Sequence, residues 1–530
     1  MDETLVSATS SHELELNTTA PLPLFANIDG LKFFGTFLLV LLGTLPMLLH
    51  PDAAKAQIFV LFRFITEELG WLYILAGVGS FLWCLWLAFG RYGHRTLGDT
   101  TEYSDYSWVA MLVCAGVGSG IMYGSMLDWA HLSNLGINGT DPVTTGANEW
   151  AAAYAMFHWG PIAWAMYATL AVPIAYHFHV KRTPVLNISQ CCRPILGDRV
   201  NGLAGKTIDI LFMIGLIGGA ATSLGLGAPV IAAAVSDLLG IANTTRLEIA
   251  VLFFVTSVFG CSAFFGIKKG LRTMSDINVV LSILLLAFVL LAGPSVFTLE
   301  MGISTLGRVL TNFISMSTNM DPIGDSGVTT GWTVFYWAWW ASFAPFMSMF
   351  IAKISRGRTV KATILVTLLA ASCGCAAFYI IFGNFTLHLQ VTGQLDVASL
   401  VQQYKGGEVI MMVAKFLPAH QLFEAVFAFV CCIFLATTYD AVSYALSATT
   451  TAKLTPEQEP ARWNRLFWAC VLSLLPLGIM VLDGPLEVLQ TATIVSGLPV
   501  LGVIALGIFS FIRELRAHGW QRGSRNKAAL

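Results

Sequence analysis

Two stretches of this sequence are rich in side chains that can hold a cation without a counter-charge. Residues 331–350 read GWTVFYWAWWASFAPFMSMF. Trp332, Trp337, Trp339 and Trp340 share that run with Phe335, Tyr336 and Phe343, and none of its residues is charged. Residues 155–170 read AMFHWGPIAWAMYATL. On one continuous helix, Trp159, Tyr167 and Trp164 would fall at about 0°, 80° and 140°, a single broad face. With Trp339 or Trp340 they could close a box of rings. Each ring face attracts a cation by roughly 0.5–2 kcal/mol. A quaternary ammonium nitrogen has no hydrogen to donate, so rings suit it better than a carboxylate, which would also recruit hydrated ions. Packing between helices competes with this reading for any one ring, and much less for the set.

Oxygen donors lie elsewhere in the chain. Thr437 and Thr438 are adjacent hydroxyls in the apolar stretch FAFVCCIFLATTYDAVSYALSATTT. Hard cations take oxygen ligands, and hydroxyls joined by backbone carbonyls suit Na+. The competing reading is that each hydroxyl bonds a carbonyl one turn earlier. Residues 108–129, WVAMLVCAGVGSGIMYGSMLDW, hold Gly116, Gly118, Gly120 and Gly124. Glycine costs a helix about 1 kcal/mol relative to alanine, so this cluster invites a break with free carbonyls facing a cavity. Close helix packing through small residues is the alternative. Pro345 marks the aromatic run as a second candidate break. Asp128, His158 and Asp440 are ionisable groups within apolar stretches. Asp128 could close an outer gate, bind a cation or sit at a solvated helix end. His158 could relay protons or be a structural, hydrogen-bonded histidine, and Asp440 could hold the packing of its helix.

The elements that must position these groups are membrane helices. Of 530 residues, 56% are hydrophobic and 11% charged, with a mean hydropathy of +0.71; an ordinary soluble domain carries about 25% charged residues. Apolar runs of the length that about 30 Å of hydrocarbon requires recur at roughly 31–49, 70–90, 107–130, 150–179, 207–236, 247–267, 277–298, 331–352, 360–383, 419–452, 463–482 and 492–512. Twelve spans are therefore expected, in an all-α polytopic membrane protein. A segment at 299–318 is too polar to span and suits a helix lying at the interface. Most of the 29 Lys and Arg fall in alternate loops and the C-terminal tail, which places both termini in the cytoplasm by the positive-inside rule. Residues 1–30 read as a cytoplasmic tail, 31–513 as the transporter domain and 514–530 as a short basic tail. Ten cysteines show no zinc-ligand spacing, and no phosphate-binding GxxxxGK[ST] occurs. Neither an enzyme nor a directly ATP-driven pump is expected. The broken third span and the aromatic eighth span are five apart. That placement fits two five-helix repeats, spans 3–7 and 8–12, each opening on an interrupted helix.

The strings FHWGPIAWAMY, GWTVFYWAWW and AKISRGRT together resemble the betaine/choline/carnitine transporter family, from about Leu31 to Arg513. The resemblance implies twelve helices: a LeuT-type inverted repeat on spans 3–12 and two leading helices. It also implies a homotrimer in the plasma membrane (the bacterial inner membrane) and an onium substrate such as betaine, choline or carnitine. By position, the substrate box would be Trp159, Trp164, Tyr167 and Trp340, with Trp339 and Phe343 lining the path and Met347 beside the site. Phe343 departs from the Trp or Tyr expected there. The coupling ion, Na+, would take the carbonyls of Cys114 and Val117 and the hydroxyls of Thr437 and Thr438, with Phe434 nearby. A second sodium site would use Thr222, Phe346 and Phe350. Sodium-independent exchangers of the family carry an arginine at a position matched here by Asn278, and the GxGxG of sodium-coupled members is intact at Gly116–Gly120. These two features favour Na+ symport. Flanking strings resemble the carnitine exchangers, so sodium-independent carnitine/butyrobetaine-type antiport is the alternative.

Overall fold

The computed structural model describes residues 27–115, 118–182, 187–265, 268–324, 326–454, 458–482 and 486–520. Val117 and most of both expected tails lie outside the described residues. Among the described residues the chain is helical, with two isolated β-bridges and no strand. Among the described residues ten helices are long and apolar enough to cross a membrane, or up to eleven if one bent pair counts as a single span.

In chain order the long stretches are α1 (Gly30–Leu49), α2 (Gly70–Phe89), α3a (Asp105–Cys114) and α3b (Ser119–Ser133). Next come α4a (Thr145–Phe157), α4b (Pro161–Ala168), α5 (Leu203–Leu239), α6 (Thr245–Phe265) and α7 (Lys268–Ala292). The last five are α8 (Thr329–Ile354), α9 (Val360–Val391), α10 (His420–Thr450), α11 (Arg462–Leu482) and α12 (Leu486–His518). Helix α5 packs along α10, α12 and α8 and forms the middle of the bundle. The outward faces are apolar: Leu38 and Leu42 on α1 and Ile283 and Leu284 on α7 are all more than half exposed. A surface of this kind is stable against lipid and unstable against water.

Sequence and structure differ over where the helices break. The expected interruption in the third stretch is present: α3a and α3b meet at 60°. The aromatic stretch, expected to break at Pro345, instead runs as one α-helix from Val334 to Ile354, preceded by a single π-turn at Thr329–Thr333. The fourth stretch is broken as well. Pro161 has no N–H to continue the ladder, and its ring suits the first position of a new helix. The chain therefore leaves α4a after Phe157, passes through an extended Gly160, and starts again at Pro161. A second irregularity follows at Thr169–Leu170, before two short turns that reach Val180.

Ser295–Thr318 forms a single helix, four residues longer at its start than the expected interfacial segment. Gly302, Thr305 and Val309 face inward, while Ile303, Leu310 and Ile314 are each more than 70% exposed. This two-faced character suits a membrane boundary.

Alternate helix ends converge on one end of the bundle. There Lys32 pairs with Asp209 at 2.6 Å and Lys206 with Asp29. Lys181 pairs with Glu514 and Arg358 with Asp105. Bridges Ile28–Thr451 and Thr96–Thr359 tie the same loops together. The opposite end carries Lys405–Glu248, Lys415–Asp237 and Arg308–Glu149. The described basic loops thus lie largely at the first end, where the chain enters α1 and leaves α12.

Candidate functional site

Helix α8 presents a stripe of rings to the bundle interior. Trp340 is its hub. Its ring centroid lies 5.2 Å from that of Trp159, 5.5 Å from Trp164 and 4.6 Å from Tyr167. Trp159 meets it nearly edge-on, at 80°, a geometry aromatic quadrupoles favour. The indole N–H of Trp340 donates to the backbone oxygen of His158 at 3.0 Å. Gly160 and Pro161 interrupt the helix just beyond His158, and the indole N–H takes a carbonyl at that break. One break therefore sets both the Trp159 ring and the anchor of Trp340.

Trp339 is fixed differently. Its N–H donates to the Gly219 oxygen on α5 at 3.1 Å, and its ring stacks on Phe335. A Cβ on Gly120 would fall 2.5 Å from Trp339 Cη2, so the third glycine of the GxGxG string makes room for this ring. A Cβ on Gly124 would fall 2.8 Å from Asp128 Oδ2 and 2.9 Å from the Tyr379 hydroxyl. Both readings of the glycine cluster therefore apply, at different residues. The helix is interrupted between Cys114 and Ser119, and the glycines inside α3b serve close packing.

A cavity of roughly 340 Å³ joins the two groups of candidates. Trp159, Tyr167, Trp339, Trp340, Phe343 and Met347 line it on one side. Cys114, Phe434, Thr437 and Thr438 line it on the other, with Phe346 and Phe350 below them. Two expected residues stand outside it. Trp164 is fully buried behind Trp340 and Tyr167, so it supports the box without facing the cavity. Thr222 turns away, bonding the Gly218 oxygen and the Thr493 hydroxyl within the α5–α12 contact. Asn278 also lies off the lining; its amide donates to the Val430 oxygen on α10 at 3.3 Å. Ser275 and Val279, one helical turn apart on α7, face the cavity in its place.

The Thr437 hydroxyl donates to the oxygens of Ile433 and Phe434, at 2.9 and 3.2 Å. Back-bonding is thus present, and it does not exclude ion binding. A hydroxyl that has given away its hydrogen still has lone pairs for a cation. Cys114 and Ala115, where α3a ends, line the same cavity, and the last carbonyls of a helix can accept partners from outside it. Hydroxyls and carbonyls with no fixed charge fit a monovalent hard cation. Ser119, which donates to the Ser223 oxygen at 3.3 Å, adds oxygen atoms to the lining that sequence reasoning missed. Both serines sit in small-residue stretches, which offered no distinguishing signal.

On α8 the cavity wall runs from Trp339 to Phe350, toward the basic end of the bundle. On the other side of the box lie Asp128 and two tyrosines. Asp128 is 1% exposed, and its Oδ2 accepts the hydroxyls of Tyr336 at 2.5 Å and Tyr379 at 2.7 Å. It is not a solvated helix end. His158 stacks on Tyr336 at 4.7 Å, and its Nε2 lies 3.0 Å from the Thr333 hydroxyl, as a structural histidine would. Trp337 is wholly buried against Phe157 and His158. Asp440 faces Arg465 of α11 at 3.6 Å, a packing contact between helices.

Comparison with known proteins agrees with this geometry. The family model described as "BCCT, betaine/carnitine/choline family transporter" matches residues 32–519. An uncharacterized transporter, YeaV, of Escherichia coli K12 is 35% identical over 434 residues, covering 82% of this chain and 90% of the relative. A carnitine transporter of Acinetobacter baumannii is 33% identical over 430 residues, covering 81% of this chain and 78% of the relative. This protein is a membrane transporter rather than an enzyme, and it belongs to the betaine/carnitine/choline transporter family.

Proposed function

We propose that this chain is a secondary active transporter that moves a methylated onium compound together with Na+. The observation that carries the reading is the shared cavity. Rings suited to a quaternary ammonium and oxygens suited to Na+ line the same space. Trp340, Trp159 and Tyr167 hold the onium head, and Trp164 keeps them in place. Thr437, Thr438 and the carbonyls that end α3a hold the ion. Filling the oxygen site fixes α3a against α10, which favours a formed ring box. Each ligand thereby raises the affinity of the other, as thermodynamic linkage requires.

Twelve spans follow if the bent α3 pair and the segmented 145–180 stretch each cross once. Two inverted repeats, α3–α7 and α8–α12, are the architecture expected of the family, with a homotrimer as the assembly. The interruptions in α3 and α4 lie in the first repeat and supply carbonyls to the site. Gathering of the basic loops at one end supports cytoplasmic termini in a plasma membrane. A carnitine-like zwitterion fits both the rings and the similarity to a carnitine transporter.

Uptake of labelled carnitine, betaine and choline into proteoliposomes tests the proposal, with and without an inward Na+ gradient. Accumulation that needs the gradient is the expected result. Gradient-independent counterflow alone would replace symport with substrate/product exchange. No uptake of any onium compound would refute the ring box.

A further inference from the structure

A cluster of three metal-ligating side chains lies at the end of the bundle remote from most of the basic loops. Asp237, in the last turn of α5, meets His420 and Glu424 in the first turns of α10. His420 and Glu424 are four residues apart and share one helix face. One ligand atom from each of the three lies within 4.8 Å of the other two. One pair, His420 Nδ1 and Glu424 Oε1, is already 3.2 Å apart. Ligands on one tetrahedral ion with bonds near 2.0–2.1 Å stand about 3.4 Å apart.

Glu424 supplies an observation independent of the spacing. Its side chain is 0% exposed, and Oε2 has no hydrogen-bond partner. A buried carboxylate oxygen left bare is costly unless a cation or a proton covers it. Lys415 is paired with Asp237 Oδ1 at 2.8 Å. His420 is partly exposed and Asp237 lies at the surface, which gives an ion a path from water to Glu424.

We infer that Asp237, His420 and Glu424 form a binding site for a divalent transition-metal ion of the Zn2+ type. The donor set decides the class of ion. One imidazole and two carboxylates, with a fourth position for water, match zinc chemistry. Mg2+ and Ca2+ take oxygen donors and have no use for the imidazole. The ion would join the ends of the two helices that wall the cavity. Gly219 and Ser223 stand on α5, and Thr437 and Thr438 on α10. Bound metal would hold those walls at a fixed separation and strengthen the scaffold without touching the transported solute.

The test uses the full-length protein, stripped with EDTA in detergent and titrated with ZnCl2. Melting temperature is one readout, and metal bound per chain by equilibrium dialysis is the other. The expected result is a rise in Tm and one retained Zn2+, with no comparable effect of Mg2+ or Ca2+. Asp237→Asn changes a surface residue and should leave the fold intact, while raising the zinc midpoint at least tenfold. His420→Ala should abolish the retained ion. The inference is overturned if wild type retains no zinc, or if both variants bind it as wild type does. Equal stabilisation by Mg2+ would also overturn it, because the imidazole would then have no role.

Discussion

Gly120 and Gly118 belong to the same short string, yet a methyl group at each has opposite consequences. At Gly120 the new Cβ would sit 2.5 Å from Trp339 Cη2 and 3.1 Å from Cζ2. Ordinary contact begins near 3.4 Å, so the ring must withdraw by about 1 Å. It has little freedom to do so. Its N–H is tied to the Gly219 oxygen, and Phe335 and Trp159 bound its faces at centroid distances of 5.6 and 6.0 Å. Overpacking of this kind costs about 1–3 kcal/mol. Losing the indole hydrogen bond in a buried place adds about 1 kcal/mol or more. At Gly118 a Cβ meets nothing within 4 Å, and the backbone is extended, with φ at −150°. Alanine for glycine at that cap should cost under about 1 kcal/mol. Gly120→Ala is therefore expected to lower Tm and to raise the KM for the onium substrate at least tenfold. Gly118→Ala should leave both close to wild type. Parallel thermal unfolding and uptake kinetics on the two variants check this. If Gly118→Ala raises KM as much as Gly120→Ala, the glycines act through the backbone break, and seating of Trp339 is not their role.

Further outcomes follow from other contacts. Trp340→Ala removes the one ring that touches the other three and should abolish stabilisation by any onium ligand; persistence of that stabilisation would move the box elsewhere. Asp128→Asn keeps the shape of the side chain but weakens the acceptor that two tyrosine hydroxyls share, a loss of about 1–2 kcal/mol that thermal unfolding should register. An unchanged Tm would mean that an amide oxygen serves the two tyrosines as well as the carboxylate does. Thr438→Ala should raise the Na+ concentration for half-maximal uptake about tenfold, the effect of losing about 1.4 kcal/mol of ligand interaction; unaltered Na+ dependence would remove the ion from α10. Asp209→Ala takes the carboxylate from buried Lys32 and should destabilise the protein by about 3–5 kcal/mol, seen as poor yield and low Tm; a wild-type melting curve would contradict this.

Much of the site was legible in sequence because its chemistry needs large or unusual side chains. Tryptophans at Trp159, Trp339 and Trp340 stand out in any apolar run, and paired threonines stand out in an apolar helix. Less legible was everything that depends on which way a helix turns. Treating residues 155–170 as one helix put Trp164 on the cavity face; the break at Gly160 resets the angle and turns Trp164 behind Trp340. The Gly–Pro dipeptide there was the available signal. Pro345 carried the opposite lesson, because α8 continues through it. A proline removes one hydrogen bond, and dense packing on all sides of α8 holds the helix without it. Thr222 looks suitable as a residue type, but it is turned toward a neighbouring helix. Asp128 could be placed near a helix end, whereas its burial depends on two tyrosines from α8 and α9 that no local pattern connects to it.

The clustering of indoles around Trp340 also has an optical consequence. Trp159, Trp164 and Trp340 have centroids within 5.5 Å along each contact with the hub, inclined at 80° and 60°. Chromophores this close, held in a fixed chiral arrangement, exchange excitation energy and share their near-ultraviolet transitions. A cation lodged among them shifts those transitions and changes their coupling. The protein thus carries an intrinsic spectroscopic reporter at the place where its solute is expected to bind. Near-ultraviolet circular dichroism would follow occupancy in unlabelled protein, one solute at a time.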